Sequence, residues 1–423
     1  MTIEVRPATA DEAEAFRFIT STVFAWHPDE PPPFFPQYTL CAFEDGEMVS
    51  SFIAYPFTWQ LNGAPVPTAG VAAVGTLPHR RRRGHLRRIM NESFRRQRAA
   101  GQSMAILWGA HTAIYQRFGY ATVAHDARYD VRPRDIDFDV PLGLPDPPPP
   151  GDVRITINPA PDDLRPIYDA YIADRNGQIH RSDELWRSGP LQPHKPEGPL
   201  YAAIYTEPRG GQQDAPLGYA LYTVRDGVYG PTGQDRDANE SQRLTLRELV
   251  ATTPAAYRAL WQTLASHDLV RRIHYTNAPE DDPLFDLIQE PRLLRRTTQD
   301  GIMARIVDLA AALPQRPYGA PLTLRLRVID RDCEWNDGLW DFRTDGQHTT
   351  VERTPIDRSP IEPTTDAPQL TLPIHSLASL LTGYRSASQL VRIARAHATP
   401  GLDLAAIDHA FAVDHRPHCL QHF

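Results

Sequence analysis

An arginine-rich run at Pro78–Arg88, PHRRRRGHLRR, holds the residues whose types and spacing most favour chemistry. Nine arginines fall between Arg80 and Arg98, and Glu92 is the only acidic residue among them. Three interpretations compete: a solvated helix face, a nucleic-acid interface, and a cradle for a pyrophosphate group. The formal net charge of −8 argues against nucleic acid, because such partners normally meet a wide basic face.

The elements predicted on either side of the run favour the pyrophosphate cradle. An apolar stretch at Val71–Leu77 predicts a strand before it, and apolar residues at helical spacing predict a helix over His85–Ala99. Gly84 then stands at a helix N-terminus, where unpaired N–H groups and the positive end of the helix dipole attract a phosphate. Glycine lets the backbone approach such a ligand, and neighbouring arginines add bidentate contacts.

The rest of the first segment predicts a mixed α/β fold, in the order strands, helix, strand, helix, strand. Hairpin turns are predicted at Asp45-Gly46 and Asn62-Gly63. Strands are predicted at Thr39–Phe43, Glu47–Pro56, Phe57–Leu61, Thr68–Leu77, Ser103–Trp108 and Tyr120–Val131, and a short helix at Thr112–Phe118.

Composition narrows the class of protein. A chain of 423 residues with 41% hydrophobic residues excludes wholesale disorder and predicts two to four domains. Three widely spaced cysteines, Cys41, Cys333 and Cys419, exclude a disulfide-stapled scaffold and the paired spacing of a zinc site. No apolar stretch approaches the roughly 18 residues of a membrane span, and the N-terminus lacks an apolar signal core. We therefore expect a cytoplasmic protein with no metal and no membrane partner.

Two proline-rich stretches divide the chain. Pro145–Gly151, PDPPPPG, favours a stiff spacer and forbids a helix, and Ala312–Pro321 breaks the pattern again. We therefore predict three domains, at 1–146, 151–309 and 310–423. The first two begin alike, with a strand-like run followed by an acidic helical segment, so they could be distant copies of one fold.

The third segment predicts an α+β domain with an unusual tail. Strands are predicted at Leu322–Ile329 and Gly338–Thr344, and helices at His375–Thr382, Ser386–Ala396 and Ala405–Phe411. The chain ends VDHRPHCLQHF, which is apolar and aromatic for a free terminus. Simple docking onto a core and a functional role both fit this tail.

The strand, the R-x-x-G-x turn and the helix resemble the acetyl-coenzyme A loop of Gcn5-related N-acetyltransferases (GNAT). The usual pattern is Q/R-x-x-G-x-G/A, and Leu86 departs from it at the last position. The blocks TAGVAAVGTLPHRRRRGHLRRIM and AHTAIYQRFGYATV resemble the enhanced intracellular survival (Eis) family, as do CEWNDGLW and APQLTLPIHSLASLLTGY more weakly. The resemblance is strong over Thr68–Val123, recognisable over Leu322–Phe423 and weak between them.

This resemblance implies an α/β architecture of tandem GNAT folds, each a mixed sheet flanked by helices, followed by an α+β domain like sterol carrier proteins. It implies acetyl transfer from acetyl-coenzyme A to a primary amine of an aminoglycoside, a polyamine or a lysine side chain. It also implies a homohexamer.

The resemblance places acetyl-coenzyme A at the end of the strand and on the turn after it. Val74, Gly75 and Thr76 are expected to pair with the pantetheine arm, and the Val74 N–H to polarise the thioester carbonyl. Arg82, Arg83, Gly84, His85, Leu86 and Arg87 are expected around the pyrophosphate, with Ala110 and His111 beside the pantetheine arm.

Tyr115, in the I-Y-x-R-F-G-Y block, is the candidate general acid. The tetrahedral intermediate expels a thiolate whose conjugate acid has a pKa of ~8.5, by analogy with cysteine, against ~10 for a phenol. A neutral Tyr115 can therefore donate its proton at a cost of about 2 kcal/mol. The alternative is a tyrosine that only packs the short helix, and Tyr120 is the second candidate for the acid.

The resemblance implies that the base is the chain's own terminal α-carboxylate, here on Phe423. A free α-carboxyl has a pKa of ~3.5 and a lysine-like ammonium ~10.4, so burial must narrow a gap of roughly 7 units. His422, with an ordinary pKa near ~6.5, is an alternative base and a candidate substrate contact. His111 is a further candidate base.

The segment Phe24–Tyr38, FAWHPDEPPPFFPQY, is the candidate substrate-binding region. Its aromatic residues and the acidic pair Asp29 and Glu30 suit an amine-bearing polycation, with Phe24 and Trp26 as pocket walls. The alternative is a surface loop with aromatic anchors. Two other functions remain open for the whole chain: a lipid-binding carrier, and an interaction scaffold with a degenerate GNAT portion.

Overall fold

A computed structural model describes residues 2–25, 34–139, 151–192, 198–209, 212–225, 242–354 and 368–423. Pro145–Pro150 of the predicted spacer lies outside the described residues, and so do Trp26, Asp29 and Glu30 of the predicted substrate segment. None of the described helices is both long and apolar enough to cross a membrane.

The described residues form nineteen strands and eleven α-helices. The strands are β1 (Ile3–Arg6), β2 (Cys41–Glu44), β3 (Glu47–Leu61), β4 (Ala64–Thr76), β5 (Met104–Leu107), β6 (Ala121–Thr122), β7 (His125–Val131), β8 (Asp152–Ile157), β9 (Leu200–Arg209), β10 (Gln212–Arg225), β11 (Arg243–Ala251), β12 (Arg272–Pro279), β13 (Thr297–Asp300), β14 (Met303–Ile306), β15 (Leu322–Ile329), β16 (Gly338–Thr344), β17 (Thr349–Thr354), β18 (Gln369–Pro373) and β19 (His397–Ala398). The helices are α1 (Ala13–Phe24), α2 (His85–Ala99), α3 (Thr112–Gln116), α4 (Pro161–Ile172), α5 (Asp183–Ser188), α6 (Pro254–Ala265), α7 (Leu284–Leu287), α8 (Leu309–Gln315), α9 (Ile374–Leu381), α10 (Ala387–Arg392) and α11 (Leu404–Ala410).

The strands form three mixed sheets, two of which share one topology. The first sheet has the order β1-β2-β3-β4-β5-β14-β6, and the second, read from its other edge, β8-β9-β10-β11-β12-β7-β13. The fourth and fifth strands of each order are parallel. The third sheet has the order β17-β16-β15-β18-β19. The prediction of two copies of one α/β fold followed by an α+β domain is confirmed.

The two related sheets exchange their sixth strands. β14, from late in the chain, fills the first sheet, and β7, from early in the chain, fills the second. The prediction of one long strand at Tyr120–Val131 is wrong, because β6 and β7 belong to different sheets. No glycine or proline interrupts residues 120–131, so the sequence has no turn signal where the chain changes sheets.

Contacts group the chain into two compact units. Unit 1 comprises residues 1–123, 302–414 and 423, and unit 2 comprises 124–301 and 415–422. The predicted ranges 1–146, 151–309 and 310–423 are continuous segments of the chain. Each compact unit instead combines separate segments, because β7 and β14 each belong to the sheet of the other half.

Each GNAT-like sheet packs helices on both faces. In unit 1, α2 buries Ile89, Met90 and Phe94 against one face, and α1 buries Phe16 and Ile19 in a second cluster. In unit 2, α6 and α4 likewise pack their buried side chains into two separate core clusters. The period-2 pattern of β15 and β16 predicted both strands with the bounds that the structure has.

Candidate active site

β4 is irregular where it passes the predicted cofactor residues. Ala73 has a φ of 50°, in the left-handed region that side chains rarely adopt. The register with β3 slips at the same place, between the pairs formed by Ser51 and Ile53. The Ser51 hydroxyl donates to the Ala73 carbonyl at 2.8 Å and so supports this bulge. A bulge bends its strand, so the end of β4 is redirected.

The end of β4 also parts from β5. The parallel pairing of the two strands ends at Val71 and Leu107. In the described part of the chain no other strand pairs with β4 on that side, so the backbone of Val74–Thr76 faces no neighbouring strand there. A Cβ on Gly75 would lie 3.2 Å from Val23 of α1, so a side chain at this position would crowd the packing of α1.

The loop from β4 to α2 ends in an open helix N-terminus. Arg82 and Gly84 have φ values of 65° and 83°, so two left-handed residues turn the chain into the helix. No side chain of the described residues caps this end, and its first N–H groups stay available to a ligand. A Cβ on Gly84 would meet nothing within 4 Å. This arrangement suits an anion.

Glu44, at the end of β2, braces the loop by pairing with two of its arginines. Arg80 donates to one Glu44 carboxylate oxygen at 2.9 Å, and Arg83 donates to the other at 2.8 Å. Burial of Glu44 opposes its ionisation, but the guanidinium groups of Arg83 and Arg80 prevail and lower its pKa. Arg81 ties the loop to β4, because its Nε donates to the Thr76 carbonyl at 3.2 Å.

The other predicted phosphate-binding residues differ in their surroundings. Arg82 is exposed and makes no ion pair or hydrogen bond with any described residue, so its guanidinium is free for a ligand. Arg87 pairs with Asp332 at 3.3 Å. His85 is buried, neither ring nitrogen has a partner among the described residues, and burial lowers the pKa of its imidazole. Leu86 is half-buried against the core.

Tyr115 lies on α3, beyond the end of β5, with its side chain half-buried. A Cβ on Gly109, two residues past β5, would lie 3.5 Å from the Tyr115 ring. The Tyr115 hydroxyl makes no hydrogen bond within the described part of the chain. Burial raises the pKa of Tyr115 to about 12, so the phenol stays protonated at neutral pH. The proton therefore stays on the phenol, although the raised pKa makes Tyr115 a weaker acid than an exposed tyrosine.

The neighbours of Tyr115 distinguish it from the second candidate. The Tyr120 ring meets it edge-on at 6.1 Å, but Tyr120 is wholly buried and burial raises its pKa. A hydroxyl without solvent access is poorly placed to donate to a substrate, so the geometry favours Tyr115. Ala110 and His111 are exposed in the turn before α3, next to the end of β5.

A row of aromatic rings begins at Phe423. Its ring centroid lies 4.9 Å from that of Phe57, which stacks with Tyr55 at 5.8 Å. Tyr55 in turn meets Tyr38 at 6.0 Å. Phe57 also covers Gly70 of β4, where a Cβ would lie 2.1 Å from the ring. The last residue of the chain therefore packs over β3 and β4, the strands that form the bulge.

The predicted substrate residues are only partly described. Phe24, at the end of α1, is 45% exposed and makes no ring contact with another described aromatic residue. Trp26 lies outside the described residues. Sequence reasoning missed Tyr55 and Phe57, because Pro56 between them predicted the end of one strand and the start of the next. That break is wrong, since β3 continues through Pro56 from Glu47 to Leu61.

The tail before Phe423 belongs to unit 2. The His418 N–H donates to the Asn176 carbonyl at 3.0 Å, and Arg181 Nε donates to the Gln421 side-chain oxygen at 2.9 Å. His422 is exposed at its surface, and the protein around its imidazole lowers the pKa. Within the described ranges no three His, Cys, Asp or Glu side chains could hold a metal ion together.

A mixed sheet that splays between its fourth and fifth strands beside an open helix N-terminus defines the class as GNAT acetyltransferases. The acetyltransferase (GNAT) domain model matches residues 4–123, and a second model of that description matches 177–306. The sterol carrier protein domain model matches residues 309–420. The chain belongs to the Eis family of N-acetyltransferases, and the resemblance seen in its sequence is confirmed.

Its relatives span most of the chain. N-acetyltransferase Eis of Mycobacterium tuberculosis is 30% identical over 360 residues, which are 82% of this chain and 79% of that protein. An uncharacterized N-acetyltransferase of Streptomyces avermitilis is 30% identical over 444 aligned residues, covering 99% and 98%. Among solved structures, Eis1 from Mycobacterium abscessus has a TM-score of 0.77 at 24% identity, with 100% of both chains covered. A GCN5-related N-acetyltransferase from Anabaena variabilis has a TM-score of 0.82 at 19% identity, again over both whole chains, and these two structures support the fold.

Proposed function

We propose that the protein transfers an acetyl group from acetyl-coenzyme A to a primary amine, with no metal. The observation that carries this proposal is the bulge at Ala73, which frees the end of β4 beside the uncapped N-terminus of α2. An extended pantetheine arm can pair with the freed strand, while the pyrophosphate meets the N–H groups of the helix.

Each predicted cofactor residue has a part in this arrangement. Val74, Gly75 and Thr76 offer backbone groups to the arm, and the Val74 N–H polarises the thioester carbonyl. The backbone at Gly84 and the Arg82 guanidinium bind the pyrophosphate. Arg83 holds the loop in place through its ion pair with Glu44. His85, Leu86 and Arg87 follow in the first turn of the helix, and Ala110 and His111 border the arm.

The amine attacks the thioester directly, and Tyr115 protonates the departing thiolate. With a pKa of about 12, the phenol lies about 3.5 units above a thiol at ~8.5, so the transfer of its proton is uphill by about 5 kcal/mol instead of the ~2 kcal/mol expected for an ordinary tyrosine. The phenol is fully protonated at neutral pH, and binding of acetyl-coenzyme A must lower this cost for Tyr115 to act as the acid.

The Phe423 carboxylate accepts the proton from the attacking amine, with His422 and His111 as alternatives. The contact between Phe423 and Phe57 supports this role, because it fixes the terminal residue beside the bulged strands. The proposal requires that the bound amine and the carboxylate lose solvent together, because desolvation raises the pKa of a carboxylate, lowers that of an amine and so narrows the gap between them.

The aromatic row of Tyr38, Tyr55, Phe57 and Phe423 supports an amine-bearing acceptor. Ring faces attract ammonium groups by about 0.5–2 kcal/mol each. By family resemblance, the acceptors that we propose are aminoglycosides, polyamines or lysine side chains, with Phe24 and Trp26 as further walls. By family resemblance we also propose a cytoplasmic homohexamer.

A thiol-release assay with acetyl-coenzyme A and panels of aminoglycosides, polyamines and lysine peptides tests the proposal. We expect amine-dependent release of coenzyme A, and mass spectrometry should show one acetyl group added per thiol released. Binding of coenzyme A without release over the whole panel would contradict the proposal and favour a scaffold. Co-purified lipid in that inactive protein would favour a lipid carrier.

A further inference from the structure

Arg305, on the exchanged strand β14, is a buried cation that the proposed mechanism does not use. Its side chain is 0% exposed. Nη2 donates to both carboxylate oxygens of Asp330, at 3.0 and 2.8 Å, and lies 2.8 Å from the Cys333 sulfur. Nη1 donates to the Phe118 carbonyl. The guanidinium therefore joins the C-terminal domain to the turn that follows α3.

The partner of Arg305 is itself rigidly held. Asp330 accepts backbone hydrogen bonds from Asp332 and Cys333 at 3.1 and 3.2 Å. The Asn336 side chain donates to its other oxygen at 3.0 Å. The start of the CEWNDGLW block, which carries part of the family resemblance, therefore helps to hold the Asp330 carboxylate towards Arg305.

The turn that receives Nη1 is the one that ends the Tyr115 helix. The Phe118 and Tyr120 N–H groups both donate to the Tyr115 carbonyl, at 2.9 and 3.3 Å. Gly119, with a φ of 79°, leaves room for the guanidinium, because a Cβ there would lie 1.9 Å from Nη1. α3 has five residues, too few to be stable alone, so its orientation depends on such anchors.

The same frame also reaches the phosphate-binding helix. Asp332 pairs with Arg87 of α2 at 3.3 Å, and the Arg87 guanidinium lies 5.4 Å from the Phe118 ring centroid. Cys333 takes no covalent part, because burial raises the pKa of its thiol to about 12 and keeps it protonated.

We propose that Arg305 is a positioning residue for the general acid. Held by Asp330, it fixes the turn at Phe118 and thereby the direction in which the Tyr115 hydroxyl points. The sterol carrier-like domain contributes to catalysis through this link, without touching substrate. The proposal rests on the proposed role of Tyr115, and its test separates the two.

The test is a double-mutant cycle of Arg305→Lys and Tyr115→Phe, with kcat measured at saturating acetyl-coenzyme A and amine. Lysine keeps the charge but cannot reach Asp330 and Phe118 together. We expect Arg305→Lys to lower kcat by roughly 10²-fold, the effect of misplacing a group by about 1 Å. We expect acetyl-coenzyme A affinity to change less than threefold. In the Tyr115→Phe background, Arg305→Lys should have no further effect, because the group it positions is gone.

Arg316→Lys is the matched control. Arg316 is also buried in unit 1 and donates to the Phe411 and Ala412 carbonyls, at 2.7 and 2.8 Å. We expect this variant to lose stability without losing kcat. If Arg305→Lys does not fold, Asp330→Asn replaces it in the cycle, with the same expectation.

Three outcomes overturn the proposal. If Arg305→Lys lowers kcat equally in the parent enzyme and in the Tyr115→Phe background, Arg305 has a structural role only. If Arg305→Lys leaves the kcat of the parent enzyme unchanged, Arg305 does not position the acid. If Tyr115→Phe alone changes kcat less than threefold, the proposed acid is wrong and the positioning role fails with it.

Discussion

At the residue scale, burial sets the protonation state of Tyr115. Its pKa of about 12 predicts that it stays protonated, so it should add no falling limb to the pH–rate profile between pH 7 and 10. Tyr115→Phe should lower kcat by roughly 10²–10⁴, the usual contribution of a general acid. Steady-state thiol release across this pH range measures both.

Tyr120→Phe is the control for this variant. It removes a buried hydroxyl that has no partner among the described residues, so stability should be kept or increased. A loss of kcat in Tyr120→Phe that equals the loss in Tyr115→Phe would move the role to the second tyrosine.

The residues of the phosphate loop differ in how far the sequence could predict them. Gly84 was predictable, because a local strand and helix pattern places it at a helix N-terminus. The brace at Glu44 was not, because this carboxylate comes from a strand some forty residues earlier and meets Arg83 only in the fold. Arg83 was predicted as a direct phosphate ligand, and its pairing with Glu44 has no local signal.

At the element scale, the proposed base is the α-carboxylate of Phe423, at the end of the tail. Extending the chain by one residue beyond Phe423 moves the carboxylate, so kcat should fall by roughly 10²–10⁴. Acetyl-coenzyme A affinity should change less than about twofold, because the phosphate loop is intact. Thiol-release kinetics and calorimetry measure the two effects.

Phe423→Leu is the matched control, since it keeps the α-carboxylate and loses the ring contact with Phe57. It should retain far more activity than the extended chain. Full turnover by the extended enzyme would rule out the terminal carboxylate as the base.

A histidine of the docked tail and a carboxylate of β7 should make docking depend on pH in opposite directions. His418 Nε2 lies 3.7 Å from a carboxylate oxygen of Asp126, and both side chains are buried. Burial lowers the pKa of His418 from 6.5 to about 3 and raises that of Asp126 from 3.8 to about 7. Undocking lets His418 take up a proton, so its effect is to weaken docking as pH falls below 6.5. Undocking lets Asp126 lose a proton, so its effect is to weaken docking as pH rises from 3.8 towards 7.

Single substitutions should separate these opposite slopes. Asp126→Asn leaves the His418 contribution, so protection of the tail amides should fall as the solution is acidified below pH 6.5. His418→Asn leaves the Asp126 contribution, so protection should fall as pH rises from about 4 to 7. Hydrogen exchange of residues 415–422, corrected for the intrinsic pH dependence, measures both. Slopes of the same sign in the two variants would refute the assignment.

Strands differ in how well the alternation of apolar and polar residues predicts them. β15 and β16 alternate cleanly and were predicted with their bounds. β14 has four residues that are all buried, so it lacks both alternation and length. The change of sheet between β6 and β7 could not be predicted, because it depends on which distant strands pair with them and not on the local sequence.

At the scale of the whole molecule, the strand exchange separates chain order from folding units. A fragment ending at residue 146 contains β7 but lacks β14, an interior strand of the first sheet. We expect this fragment to aggregate and not to bind acetyl-coenzyme A. Joining residue 123 to residue 302 by a short linker should give a folded protein that binds it, because the Val123 N–H already donates to the Ile302 carbonyl at 3.0 Å.

Circular dichroism, thermal unfolding and calorimetry of the two proteins measure this difference. Cooperative unfolding and binding by the fragment 1–146 would contradict the importance of β14. The fragment 1–139 serves as a control for any effect of the proline-rich segment.

Calorimetric titration of Gly84→Ala with acetyl-coenzyme A tests most directly whether the loop before α2 binds the pyrophosphate. Gly101→Ala is the reference, because Gly101 follows the other end of α2, has a φ of 73° against 83° for Gly84, and also has open space at its Cβ. Each substitution should cost about 1–2 kcal/mol of stability from the left-handed backbone. Only Gly84→Ala should weaken binding, by roughly tenfold to a hundredfold, because its Cβ keeps the pyrophosphate from approaching the backbone N–H groups closely and so weakens about one charge-assisted hydrogen bond. Equal affinities in the two variants would contradict the account.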